Sequence, residues 1–173
     1  WYHVYLYDNS GTPDVEIVTT VPAAAYHGTA RAKTGDTSRR YVGSVKAGAS
    51  GQILQFRHGN GDVVDYYEDL NTADLFLLSN GLSTTKVTVS AASAVPVTAR
   101  RFRAFAEFTE SVGARNAFIY NPANLTALLA FLRAKIMILG EITIDSSQTF
   151  AYAVSSGSTG GLYIWVSGYS FER

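Results

Sequence analysis

The sequence predicts an all-β protein: an antiparallel β-sandwich, jelly-roll-like, with residues 1–173 forming a single β-sandwich domain. Three observations lead there. Residues that favour a pleated, half-buried surface are plentiful, with Tyr 11 and Phe 9 beside abundant Val and Thr. Apolar residues alternate with a period of two in several runs, as in strands with one face inward. Turn signals recur about every ten residues, which suits sandwiches better than βαβ units.

Taken in order, "WYHVYLYD" (1–8) alternates Tyr2, Val4 and Leu6 against Trp1, His3, Tyr5 and Tyr7. It reads as a strand with both faces largely covered. "NSGTP" (9–13) is a turn, and "VEIVTT" (15–20) returns as the second strand of a hairpin. Pro22 and the following alanines form a connection. Tyr41–Val45 and Ile53–Phe56 are short strands, "HGNGD" (58–62) is a turn, and "VVDYYED" resumes strand character. "DLFLLS" (74–79), "TTKVTVS" (84–90) and "VPVTARRFRAFAEF" (95–108) follow. The last sets Phe102, Ala104, Ala106 and Phe108 against Arg101, Arg103, Phe105 and Glu107.

Residues 122–133 read two ways. Asn121 as N-cap, Pro122 at the first helical position and leucines at 125, 128, 129 and 132 describe one short helix. The alternation of Lys135, Met137 and Leu139 with Ile136 and Ile138 describes a strand from 135. The end of the chain, "TFAYAVSS" (149–156), "GSTGG" and "LYIWVSGYSFER" (162–173), reads as a terminal hairpin. There Leu162, Ile164 and Val166 are expected in the core, and Tyr163 and Trp165 outside. Trp1 opens directly in a strand pattern with neither a starting Met nor a signal peptide, so a C-terminal fragment of a longer chain is expected.

Composition narrows function. Apolar residues make up 47% and charged residues 16%, the mix of an ordered domain. Lys+Arg and Asp+Glu both number 14. That balance argues against nucleic acid, whose phosphates call for a cationic excess. It does so even where Arg101 and Arg103 sit among phenylalanines in "TARRFRAF". The apolar run at 125–139 is broken by Arg133 and Lys135 and is too short for membrane insertion. With no Cys, there is no disulfide, thiolate metal site or Cys nucleophile. His3, His27 and His58 lack metal-clamp spacing, and no GxSxG or cofactor motif is present. No cofactor, metal or catalytic residue is therefore expected.

The stretch "AKTGDTSRRYVGSV" (32–45) first suggests a phosphate site. No Lys-Ser/Thr and no helix follow its glycine, so it reads better as a structural corner. Gly35 supplies a positive φ, Asp36 an Asx-turn, Arg39 or Arg40 a clamp onto Asp36, and Tyr41 starts a strand.

Three segments, VYLYDNSGTP, GDTSRRYVGS and the closing GYSFER, resemble C-terminal and accessory domains of the tail fibres and tailspikes of tailed bacteriophages and their prophage relatives. They lie in the first third and at the very end of the chain; residues 110–140 carry none of the resemblance. The resemblance implies a virion adhesion protein at the extracellular tail tip, usually a homotrimer. Its implied target is host cell-surface polysaccharide or lipopolysaccharide. Some such domains cap an enzymatic β-helix, which would lie upstream of Trp1.

For glycan binding, rings supply apolar faces and charged side chains meet hydroxyls. Tyr66, Tyr67, Tyr163, Trp165, Arg101 and Arg103 are the candidates, either for a glycan or for a subunit interface, which is also ring-rich. The alternatives are a polysaccharide-cleaving domain using Asp62, Asp65 or Glu68, and a purely structural baseplate or connector component.

Overall fold

The computed structural model describes every residue except 60, 70–71, 134–136 and 173, and all side chains of the described residues except those at 124–127 and 129–131. Every regular element among the described residues is a strand, and the sheets stay open rather than closing into a barrel.

β1 (Tyr2–Asn9), β2 (Thr12–Val18), β3 (Ala32–Lys33) and β4 (Asp36–Val45) make an N-terminal sheet in the order β2-β1-β4-β3. β5 (Phe56–His58), β6 (Val63–Tyr66), β7 (Phe76–Gly81), β9 (Ala99–Phe108), β12 (Met137–Thr143) and β14 (Leu162–Phe171) form a six-stranded sheet. Its order is β12-β9-β14-β6-β5, with β7 also paired to β14. β8 (Val87–Ser90), β10 (Asn116–Asn121), β11 (Asn124–Arg133) and β13 (Thr149–Val154) form the third sheet, β11-β10-β13-β8.

Two expectations are corrected. The helix considered over 122–133 is strand β11, folded back on β10 as a hairpin that pairs Asn116 with Arg133 and Asn121 with Asn124. The same residues that begin helices also begin turns: Asn121 Oδ1 accepts the Ala123 amide at 2.9 Å, and the φ of Pro122 suits that turn equally well. Of the strand expected from 135, the part from Met137 is β12, while Lys135 and Ile136 lie outside the described residues. The terminal hairpin is also absent. β13 pairs with β10 and β8, whereas β14 pairs with β9, β6 and β7, so residues 155–161 carry the chain from one sheet to the other.

The core lies between the six-stranded and the β8-containing sheets. Phe102, Ala104, Ala106 and Phe108 of β9 and Leu162, Ile164 and Val166 of β14 are buried. From across come Ile119, Phe150, Tyr152 and Val154, and the Phe102 and Phe150 rings lie 5.5 Å apart. Burying each large aliphatic side chain here stabilises by about 1.5–3 kcal/mol. On the outside of the third sheet, Phe118 and Tyr120 stand opposite Ala153 and Ala151, so rings cover small residues.

The N-terminal sheet docks through rings with satisfied hydroxyls. Tyr41 packs on Tyr5 and Phe171, and its hydroxyl lies 2.8 Å from both Ser44 Oγ and Thr98 Oγ1. The Tyr169 hydroxyl donates to the Ser44 carbonyl at 3.0 Å. Burial raises the hydroxyl pKa of Tyr41 and Tyr169, so both act as neutral donors.

The loop-to-loop crossing is held by Glu110, which has no exposed surface. Its carboxylate accepts the amides of Ser111, Val112, Thr159 and Gly160 and pairs with Arg115 at 3.3 Å. Burial pushes its pKa up, but the amides outweigh that and hold it at about 2, below the ordinary 4.5.

Two outcomes are expected. Ile164→Ala should cost about 2–5 kcal/mol in urea unfolding, whereas Tyr26→Ala, at a site 65% exposed, should change stability by less than about 0.5 kcal/mol. Because the folded pKa of Glu110 is depressed, its contribution is complete above pH 4.5 and lost as pH falls toward about 2. The urea midpoint of Glu110→Gln should be lower at pH 7 and should change less across that acid window than that of the unsubstituted chain.

Candidate interaction face

Successive side chains of a strand point to opposite faces, so burying Leu162, Ile164 and Val166 sends Tyr163 and Trp165 to the outside of the six-stranded sheet. Register then fixes their neighbours. Trp165 stands opposite Phe105 on β9 and Phe76 on β7, and Phe105 stands opposite Leu139 on β12. The result is one row, Leu139–Phe105–Trp165–Phe76, across four strands. The next row is Met137–Glu107–Tyr163.

Phe76, Tyr163 and Trp165 stack on one another. Trp165 lies 5.1 Å from Phe76 and 6.0 Å from Tyr163, with ring planes 28° and 16° apart. Such pairs contribute about 0.5–1.5 kcal/mol each beyond burial. The aliphatic end of the patch is open: Leu139 is 62% and Met137 57% exposed.

The charges beside the patch are largely engaged with each other. Arg103 pairs with Asp65 across β14, and Arg101 reaches Glu141 at 3.5 Å. Glu107 stands within the patch with no ion-pair partner among the described residues. Of the sequence candidates, Arg101, Arg103, Tyr163 and Trp165 therefore share this face. Phe76, Leu139 and Met137 join it without having been singled out in the sequence. The signal for Phe76 was present, since the alternation in "DLFLLS" buries Leu75 and turns Phe76 away.

Tyr66 does not share the face. Its hydroxyl donates to the Ala94 carbonyl at 2.9 Å and its ring packs on Tyr169, within the molecule. Tyr67 is 60% exposed, and its hydroxyl raises the pKa of the nearby Arg57 guanidinium.

The 32–45 stretch forms a turn at the far end of the N-terminal sheet. Gly35 has φ +81°, and Asp36 Oδ1 accepts from the Ser38 amide at 3.0 Å. Arg39 Nε sits 3.1 Å from Glu16 and 3.7 Å from Asp36, with its guanidinium 3.6 Å from the Tyr7 ring centre. Arg40 points the other way, beside Leu6.

The catalytic candidates are engaged in fold contacts. Asp65 is held by Arg103, and Glu68 accepts the Gln55 amide at 2.6 Å. His3 Nδ1 lies 2.7 Å from Ser44 Oγ, the spacing of a nucleophile and its base. Both are buried, however, and no carboxylate is among the hydrogen-bond partners described for His3. Burial, and then the nearby amino-terminal charge, lower the His3 pKa from 6.5 to about 4, too weak a base for that role near neutrality. Among the described residues no group of three or more His, Asp or Glu could hold a metal ion. Compared with known proteins, the chain matches no family model and no curated sequence.

The depressed His3 pKa has a sign. The unfolded chain binds the proton more tightly, so stability should fall as pH drops from 6.5 toward 4. Thermal melts at pH 7 and pH 4.5 should show that fall, and His3→Gln should remove the part of it that lies in this window.

Proposed function

We propose that the chain is a non-catalytic assembly and attachment module of a tailed-phage tail fibre or tailspike, working as a homotrimer that displays host-glycan contacts in several copies. The observation that carries the assembly part is the outward row Leu139–Phe105–Trp165–Phe76. A sugar site needs free polar groups around its rings. Here Arg101, Arg103, Asp65 and Glu141 are already paired. Aliphatic Leu139 and Met137 extend the row, as fits contact with protein, whose interface cores are apolar and ring-rich.

The attachment part rests on Tyr67. It is the exposed ring of the candidate set, and the nearby Arg57 offers donors to hydroxyl groups. Three weak glycan contacts on one assembly gain by avidity, so no single deep pocket is required. The resemblance of VYLYDNSGTP, GDTSRRYVGS and GYSFER to tail-fibre and tailspike domains supports the setting.

Light scattering of the chain at ten to a hundred micromolar should give three times the 18.7 kDa mass, and a monomer throughout would overturn the assembly reading. On immobilised lipopolysaccharide or capsule, Tyr67→Ala should weaken retention of the assembled protein by tenfold or more while leaving its mass unchanged. Release of reducing sugar from the same polysaccharide, abolished by Asp65→Ala, would establish the cleaving alternative instead.

A further inference from the structure

A cavity of about 170 Å³, open on one side, lies between the N-terminal sheet and the β5 edge of the six-stranded sheet. Val4, Val42 and Val45 wall it on one side, and Phe56, Val64 and Phe171 on the other. Val4 stands on the side of β1 that also carries exposed Tyr2 and Leu6, so the cavity adjoins that apolar face.

The space is left unfilled at Gly43. Val4 pairs with Gly43 and Tyr5 with Tyr41, so Val42 is an extra residue in β4, and this bulge brings both Val42 and Gly43 to the cavity wall. Gly43 has no positive φ, and a Cβ added there would meet only Phe171 Cζ, at 3.9 Å. Neither backbone conformation nor crowding therefore demands a glycine, in contrast to Gly168 beside Val64. A glycine inside a strand weakens it, and one free of those demands marks a place where a ligand approaches closely.

The lining selects the class of ligand. Ser44 is engaged: its Oγ lies 2.7 Å from His3 and 2.8 Å from Tyr41, and its carbonyl accepts from Tyr169. His58 sits at the exposed mouth, and its ring has no hydrogen-bond partner among the described residues. No Asp, Glu, Lys or Arg takes part in the wall. A sugar here would bury hydroxyls without partners, and an ion would bury an unpaired charge; both are costly. The His58 and Phe171 rings, 5.9 Å apart and tilted by 33°, offer aromatic surface to a flat guest. An apolar cavity of about 150 Å³ holds one benzene, whereas a helix is about 10 Å across and does not fit.

We infer that this cavity binds one uncharged aromatic ring carrying a single hydroxyl, a phenol, with the ring against Phe56, Phe171 and the valines and the hydroxyl at His58. Alternation along β5 puts Phe56 and His58 on the side away from Arg57. The site is therefore separate from the Tyr67 contact and goes beyond the assembly and attachment reading.

The probe is p-cresol, titrated into the whole chain and followed by amide chemical shifts in NMR. It should saturate one site and shift amides of β4, β5 and β6. Gly43→Leu, which puts its side chain into the cavity, should keep or raise the melting midpoint and weaken p-cresol tenfold or more. His58→Phe should weaken p-cresol about threefold to tenfold, as the loss of one hydrogen bond does, and leave toluene binding unchanged.

Should Gly43→Leu misfold, Phe56→Ala at the exposed mouth should weaken p-cresol in its place. No saturation up to the solubility of p-cresol, shifts confined to other strands, or toluene bound as tightly as p-cresol would each overturn the phenol site. A folded Gly43→Leu chain that loses the assembled mass in light scattering would assign the cavity to a side chain of a second copy and overturn it as well.

Discussion

Strand β14 is the constraint on which the structure turns. It lies between β9 on one side and β6 and β7 on the other. A strand in that place cannot hide one face without committing the other, because its side chains alternate strictly. Leu162, Ile164 and Val166 fill the space between the sheets, so Tyr163 and Trp165 must stand outside. Pairing then carries the consequence sideways, aligning Phe105, Phe76 and Leu139 with Trp165. The candidate face is thus the reverse side of the core.

The strand also passes close to its neighbours. At Gly168 the register with β9 shifts, and an added Cβ would overlap the carbonyl oxygen of Val64. The missing side chain lets β6 approach, which sets Asp65 opposite Gly168 and within reach of Arg103. That ion pair closes off a guanidinium and a carboxylate that would otherwise be free for a ligand.

The N-terminal sheet is joined to this frame by a different kind of contact. Ser44 Oγ and the Tyr41 and Thr98 hydroxyls are linked in a buried chain that ends on His3, and Tyr169 donates to the Ser44 carbonyl. Such groups are costly when unmatched and directional when matched, so the junction admits one docking geometry where a purely aliphatic one would tolerate sliding. The face of the sheet toward the sandwich is thereby fixed, and so is the apolar face that points away.

The sequence by itself determined the fold class, most strand positions and which residues of β9 and β14 point inward, because alternation is a local property of the chain. It also carried the 32–45 turn, since Gly35 and Asp36 act on their immediate neighbours. Two features were not legible. Asn121–Pro122 opens a hairpin rather than a helix because the same local bonds serve both, and pairing with Asn116–Arg133 partners decides between them. Likewise β13 and β14, adjacent in the chain, sit in different sheets, because a strand's partner depends on distant segments that bury its faces. Only the tertiary structure decided that Tyr66 turns into the molecule while Trp165 joins Phe76 and Leu139. Periodicity sorts residues into two sides of a strand, but which side becomes the interior is set by what packs against it.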